Sequence, residues 1–290
     1  MTTAPHLDPA RKHDFVLLFD VRDGNPNGDP DAGGLPRTDP ETGEGLVTDV
    51  AVKRKIRNMI SLLKEGTPGY DIYVEAGVSL NSQHERAYTA LKLDAKKKKD
   101  AILAAQRWMC ETFFDVRMFG AVMSTGTQQA GRVQGPVQLT FARSVDPVFP
   151  AEHSITRVTQ TKTEHIDKGE TTEMGNKRTI PYGLYVGYGH FSAPLAKKTG
   201  VTSDDLAVLW RSMQLMFEHD RASSRGEMAL RGLHVFTHSD AFGNAPAHEL
   251  FELMSVRAQV AGPPRSFSDY QVKLDESGIP DGVTYTRVVG

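Results

Sequence analysis

From Asp20 to Gly66 the chain reads DVRDGNPNGDPDAGGLPRTDPETGEGLVTDVAVKRKIRNMISLLKEG: a long run of Gly, Asn, Asp and Pro that leads straight into a basic helix. Upstream, HDFVLLFDVR (13–22) alternates Phe15, Leu17, Phe19 and Val21 against Val16, Leu18 and Asp20, the pattern of a central strand. Long connections inside compact domains are uncommon and usually carry function. The helix is predicted over 48–64, with Thr48 as N-cap and Asp49 in its first turn. Val52, Ile56, Met59, Ile60 and Leu63 form its apolar stripe. Lys53, Arg57 and Lys64 gather in one band with Arg54 alongside, about 100–200° from the stripe at 100° per residue, so the band is expected to face outward. Five cations and no acid lie between Val50 and Lys64. Such a set repels itself unless an anion neutralises it, whereas a solvated helix face usually interleaves Glu. The glycines and backbone N–H groups of the 24–45 segment are expected to be able to add phosphate contacts without side chains.

Bulk properties narrow the field. The 290 residues suffice for one large core with sizeable insertions. With 34 Lys+Arg against 36 Asp+Glu and a net charge of −2, indiscriminate nucleic-acid binding is excluded and any such binding is local. A single cysteine, Cys110, rules out an internal disulfide framework and fits a reducing compartment as inert core filler. The N-terminal MTTAPHLDPARKHD has no apolar h-region, and no run of 18 apolar residues occurs, so neither a signal peptide nor a membrane-spanning helix is expected. The expectation is a cytoplasmic α+β protein that touches no membrane.

The remaining chain supplies a charged helical stretch from about Glu85 to Met109 and a Gly- and Gln-rich segment from Asp115 to Gly135. A strand is predicted over Pro136–Ser144, with Val137, Leu139 and Phe141 on one face. Residues 154–179 are polar and Thr-rich, two β-prone arms around a Gly169–Gly175 tip, and read as a projecting hairpin. A strand over Pro181–Phe191 follows, then a helix over Thr202–Glu218 capped by Ser203, burying Leu206, Leu209, Trp210, Met213 and Phe217. A strand at 230–238, a helix near 247–253 and a β-prone end complete the chain. The order β, α, insertion, β, hairpin, β, α, β resembles a decorated ferredoxin-like sheet with helices on one face.

Catalytic and metal signals are thin. Asp23-Gly-Asn25-Pro-Asn27-Gly28-Asp29-Pro-Asp31 places oxygen donors at alternate positions, as in a calcium loop. However, its twelfth position is Gly34, two prolines interrupt it, and a strand precedes it. A Mg²⁺-assisted nuclease using Asp23, Asp29 or Asp31 is the enzymatic alternative. Lys96 to Lys99 circles its helix and reads as solvated. His234 and His238 share a strand face without a nearby carboxylate and read as structural or RNA-facing. Dinucleotide, Walker and GxSxG fingerprints are absent, and Cys110 sits mid-helix. No cofactor and no metal are expected.

The opening FVLLFDVRDGNPNGDPD, TDVAVKRKIRNMI, MFGAVM with AGRVQGPVQLTFARSVDPV, and RGLHVFTHSDAFGNAPAHELFEL together resemble the repeat-forming backbone subunit of type I CRISPR surveillance complexes (Cascade), most closely the type I-C form. The resemblance implies a single domain over 1–290. It comprises a modified RNA-recognition-motif palm (11–65, 131–150 and 180–290), a fingers insertion (about 66–130) and a thumb hairpin (about 151–179). It implies a non-enzymatic chain whose copies stack head to tail along a guide RNA and present its bases to a complementary DNA strand. Processing or cap, large and small subunits are the implied partners. On this resemblance Lys53, Arg54, Arg57, Asn25, Asn27, Thr48, Lys64 and Gln134 contact RNA. Met174 at the thumb tip, with Lys177 and Arg178 beside it, displaces a base. The RNA-stacking consensus of ordinary RNA-recognition motifs is missing, which favours binding through helix and loops. Two other readings stay open: a type III-like metal-dependent RNA endonuclease using the Asp23–Asp31 loop, and a stand-alone RNA chaperone.

Overall fold

The computed structural model describes residues 4–94, 98–169 and 172–290. Strand β1 (His13–Gly24) is buried without a break from His13 to Val21, so both of its faces are covered. After it come β2 (Gly28–Asp29), β3 (Leu35–Pro36), β4 (Glu44–Val47) and helix α1 (Asp49–Leu63). An insertion follows: α2 (Leu80–Leu91), α3 (Lys98–Thr112), α4 (Phe114–Phe119) and the hairpin β5 (Gly120–Met123)–β6 (Gly131–Gln134). The chain returns through β7 (Val137–Leu139) and β8 (Ala142–Pro147), then projects as β9 (Ala151–Arg157), α5 (Thr163–Asp167) and the 19-residue β10 (Glu173–Phe191). It closes with α6 (Ala193–Thr199), α7 (Ser203–Leu215), β11 (Glu227–His238), α8 (Ala247–Glu252), β12 (Met254–Ala258), β13 (Tyr270–Leu274) and β14 (Val283–Val289).

The main sheet runs β14-β11-β1-β10-β8-β4, with β7 and β9 also paired to β10. Its inner strands, joined through α1 and α7, follow the β-α-β-β-α-β order expected of a ferredoxin-like sheet. Phe15 lies between Gly189 on β10 and Val235 on β11. A Cβ at Gly189 would collide with the Phe15 ring, so glycine is required there. Phe15, Leu17 and Phe19 meet Ile56 and Ile60 of α1 and Leu206, Leu209, Trp210 and Met213 of α7 in one cluster. The opposite face is not open: Val16, Leu18 and Phe236 pack on Leu250 of α8 and on Val256 and Val272 of the β12–β13 pair. The expectation of helices on one face is corrected here, because strand residues are apolar on both sides and each side needs a cover.

The insertion has its own core around Tyr73, Tyr88, Met109, Phe113 and Met123. Cys110 belongs to it, and burial pushes its thiol up to about 11. Two buried ion pairs fasten the insertion to the sheet. Arg57 Nε of α1 meets Asp115 Oδ2 of α4 at 2.7 Å, and Asp115 also accepts from the Tyr73 and Val74 N–H groups at 2.7 and 3.1 Å. Arg117 meets Asp205 of α7 at 2.7 Å and donates to the carbonyls of Cys110 (2.6 Å) and Gly69 (3.0 Å).

Several local expectations shift. The 24–45 segment is ordered by the β2–β3 ladder, a Thr38–Gly45 bridge and β4 at the sheet edge. The predicted 85–109 helix is two helices, and Lys96 and Lys97 lie outside the described residues. The 136–144 strand divides at Thr140, whose Oγ1 accepts from Tyr188 N at 3.1 Å, leaving Phe141 exposed. Helix α7 is capped by Thr202, not Ser203, in a capping box with Asp205. Leu63, at the end of α1, is exposed. The hairpin arms β9 and β10 are solvated, and its far end includes α5. Met174 stands opposite Thr156 along an arm, so it is not a tip residue.

Buried histidines mark the end of β1. His238 Nε2 lies 2.9 Å from Asp14 Oδ2, correcting the expectation that it lacks a carboxylate partner, and His190 Nδ1 lies 2.7 Å from Asp14 Oδ1. Burial opposes the charge on Asp14, but hydrogen bonds from His190, His238 and Lys12 outweigh it and hold the carboxyl below the usual range. His234 bonds the Tyr285 hydroxyl at 2.7 Å, a structural role.

Two predictions follow from this packing. Asp115→Ala leaves Arg57 buried without its partner and should lower unfolding free energy by about 3–5 kcal/mol, read from urea midpoints. Burial pushes His13 and His234 down from 6.5 to about 4, so below 6.5 the unfolded chain binds more protons than the folded one. From these groups stability should therefore be level between pH 6.5 and about 9, above which the unfolded chain loses the Cys110 proton that the buried thiol keeps. It should fall as pH drops toward 4, with a further loss from Asp14 below 3.8. Urea midpoints of His13→Gln/His234→Gln should lose the upper of the two acid windows.

Candidate nucleic-acid interface

A hollow of about 390 Å³ opens where residues 25–28, the Ala51–Asn58 side of α1 and the 220–225 segment converge. Its frame is backbone. Asn25 N donates to Ser224 O at 2.7 Å, tying the exit of β1 to the entry of β11. A side chain at Gly24 would meet the Arg225 carbonyl at 2.6 Å, and Gly226 holds φ of +48°. Asn27 Oδ1 accepts from both the Thr48 N–H and its hydroxyl at 2.9 Å, while Thr48 Oγ1 caps Ala51 N at 3.3 Å. Asn25 Nδ2 donates to Gly34 O at 2.8 Å, leaving its buried Oδ1 without a hydrogen-bond partner. Asn25, Asn27 and Thr48 thus shape the loop and the helix start beside the hollow.

The cations of α1 do not form an outward band. Lys53 is 8 % exposed and Arg57 9 %. Lys53 Nζ reaches Asp49 (3.0 Å) and Gln138 (3.3 Å) and lies 5.8 Å from the Phe119 ring centre, while Arg57 is held by Asp115. A helical wheel measures angle from the helix's own apolar stripe; it does not register that α4 and β7 cover the flank. Lys64 sits over the Tyr70 ring at 4.9 Å. Arg54 remains at the hollow, half-buried, with Nη1 donating to Val74 O at 2.6 Å. Beside it Lys55 is paired with Asp220, and burial pulls its ammonium below its ordinary value against the pull of that carboxylate. Arg225 meets the same Asp220 at 2.9 Å.

Lys55, Asn58, Asp220, Ser224 and Arg225 were not singled out in the sequence. The signal for the last three was the polar stretch EHDRASSRG that ends at a glycine before β11. Gln134 lies apart, in a second hollow beside α6. Arg178 is at the hairpin base, not its tip: it donates to Gly33 O and meets Glu152 at 3.0 Å, with half-buried Lys177 next to it. Met174 is 73 % exposed. In the acidic loop Asp29 caps Asp31 N (3.1 Å) and faces Arg37 (3.3 Å). Among the described residues no group of three or more His, Cys, Asp or Glu side chains is placed to hold a metal.

These features define an α+β protein with a ferredoxin-like sheet, a clamped helical insertion, a projecting hairpin and a polar, cation-lined hollow at the first loop–helix junction. The family described as CRISPR-associated protein Cas7 matches residues 11–275, and the chain belongs to that family. The CRISPR-associated protein Cas7 of Haloferax volcanii is 28% identical over 237 residues, 70% of this chain. The match spans 64% of that relative's length. A chain of a solved CRISPR RNA-guided surveillance complex, pre-nicking, has a similar fold, with TM-score 0.51 and 14% identity over 81% of this chain and 79% of that one. A second such complex gives TM-score 0.47 at 14% identity, covering 81% and 71%.

Asn27→Ala removes the acceptor of two Thr48 donors at the helix start. It should cost about 1–2 kcal/mol, measured by thermal denaturation.

Proposed function

We propose that this chain is the guide-RNA-binding backbone subunit of a type I CRISPR interference complex. Family membership over residues 11–275 carries the reading. The cation-lined hollow at the loop–α1 junction is where the phosphate backbone of the guide binds, with Arg54 as the contact of α1 and Lys55 and Arg225 beside it. Asn25, Asn27 and Thr48 position that surface. Lys53 and Arg57 act through the packing that fixes α1 against the insertion, while Lys64 and Gln134 stand away from that hollow, at the two ends of the insertion.

On this reading residues 11–65, 131–150 and 180–290 form the palm, about 66–130 the fingers and about 151–179 the thumb. Copies stack head to tail, a heterologous arrangement that makes an open filament whose length the guide and its end-capping subunits set. Met174 is the side chain we assign to base displacement by the thumb over a neighbouring copy, with Lys177 near the phosphates; unstacking a step is offset by wider contact. The displayed bases then pair with target DNA, so the protein needs no sequence preference. Cap, large and small subunits complete the complex in the cytoplasm. The opening blocks FVLLFDVRDGNPNGDPD and TDVAVKRKIRNMI favour the type I-C form.

The chain does not cleave. Asp29 is engaged with Arg37 and the Asp31 N–H, which disfavours an Asp23–Asp31 nuclease. Incubation of the assembled complex with complementary RNA and Mg²⁺ should leave the RNA intact.

Light scattering and electron microscopy with and without a guide-length RNA test the reading. RNA-dependent regular filaments are expected; a monomer indifferent to RNA, even with its partner subunits, would overturn it. Arg54→Ala, which leaves no acid unpaired, should weaken RNA binding and reduce the slope of log K against log salt by about 0.7 per copy.

A further inference from the structure

A second hollow, of about 510 Å³, shares no lining residue with the first. Arg107 of α3, Arg132 of β6, and Lys197 and Lys198 of α6 line it. All four are exposed, and among the described residues none makes an ion pair. That separates them from the cations of α1, where Lys53, Lys55 and Arg57 each have a carboxylate. Among the described residues Glu111 is the one acid in the lining, so an excess of positive charge faces a single space. The carbonyl end of α6 favours Lys197 and Lys198 in its last turn but accounts for neither arginine. Gln106 Nε2 donates to Arg132 O at 2.6 Å, which fixes α3 on β6 and holds both arginines on one wall.

We propose that this groove binds the phosphodiester backbone of a nucleic-acid strand at a place separate from the loop–α1 hollow. Unmatched cations from three elements repel one another until an extended polyanion enters, and two of them are arginines suited to phosphate oxygens. Among the described residues no aromatic ring lines the groove, so they offer no platform for stacking bases. Contact is therefore through charge and is indifferent to sequence. The inference goes beyond the guide-binding reading and stands on the free chain as well as on an assembly.

The test is binding of labelled oligothymidylate and oligoadenylate DNA to the full chain, alone and saturated with RNA, over a series of salt concentrations. Arg107→Gln/Arg132→Gln/Lys197→Gln should weaken both DNAs equally, by tenfold or more at low salt. Its log K against log salt slope should be shallower by about two, since each contact to a single strand contributes about 0.7. A matching melting curve excludes misfolding, and Lys273→Gln, at an exposed cation outside both hollows, should leave DNA binding in place. DNA retained on RNA-saturated protein assigns the groove to a second strand; groove-dependent displacement by RNA assigns it to a continuation of the guide. Unchanged affinity and slope in the triple variant would overturn the proposal, as would polyglutamate binding as tightly through the same residues, which would make the partner an acidic protein. Absence of RNA-dependent filaments would count against the backbone reading and leave these measurements on the free chain intact.

Discussion

The Arg57–Asp115 pair is the contact on which the arrangement of this molecule turns. It joins the first helix to the inserted segment, and the same carboxylate accepts from two backbone N–H groups near the start of that insertion. A buried charge pair satisfied in this way adds little net stability relative to apolar packing, but removing one partner is costly. Its consequence is geometric. With α4 drawn onto the flank of α1, Lys53 and Arg57 become interior groups, and half-buried Arg54 is left as the helix's cation on the hollow, beside the buried Lys55–Asp220 pair. The second buried pair, Arg117–Asp205, fastens the same helix α4 to α7 on the far side. The insertion is thereby fixed to both helices that cover the main face of the sheet.

Features that depend on local periodicity were legible in the sequence. The alternation of Phe15, Leu17 and Phe19, the Thr48 cap and the buried face of α7 all follow from spacing within a single element. The strand–loop–helix segment was also singled out in the sequence, and a polar hollow lies beside it. What could not be read was the partner of each charge. The run from Val50 to Lys64 contains no acid, but Asp115 and Asp220 arrive from distant positions and neutralise Arg57 and Lys55. A one-sided charge pattern on a helix therefore marks charges that need partners without stating whether those partners are internal. The division at Thr140 has the same origin: a side-chain oxygen replaces a ladder acceptor, and nothing in the β-propensity of the segment announces it.

Near-neutral charge and nucleic-acid binding are compatible once the charges are sorted by environment. Many cations of this chain are held by carboxylates, as in the Arg143 pairs with Asp39 and Glu44. Such pairs cancel at a distance and contribute little field. The cations that matter for a polyanion are those few whose neighbours leave them unmatched or shared. On the backbone reading proposed above, a chain that meets copies of itself would gain from this distribution, with bulk repulsion low and a local positive field kept in restricted patches.

The hairpin ties these themes together. A two-stranded ribbon in water is marginal by itself. Here its second strand continues without interruption into the centre of the sheet as β10, so the base is rigid while the arms are solvated. Arg178 links that base to Gly33 in the segment that frames the first hollow, and to Glu152 on the facing arm. Any displacement of the hairpin root must therefore disturb the loop that positions Asn25 and Asn27. Ile155 and Met174 are exposed along the arms. Apolar side chains held out on a ribbon with a rigid root are suited to insertion against another surface, because their position is set before contact and less ordering entropy remains to be lost.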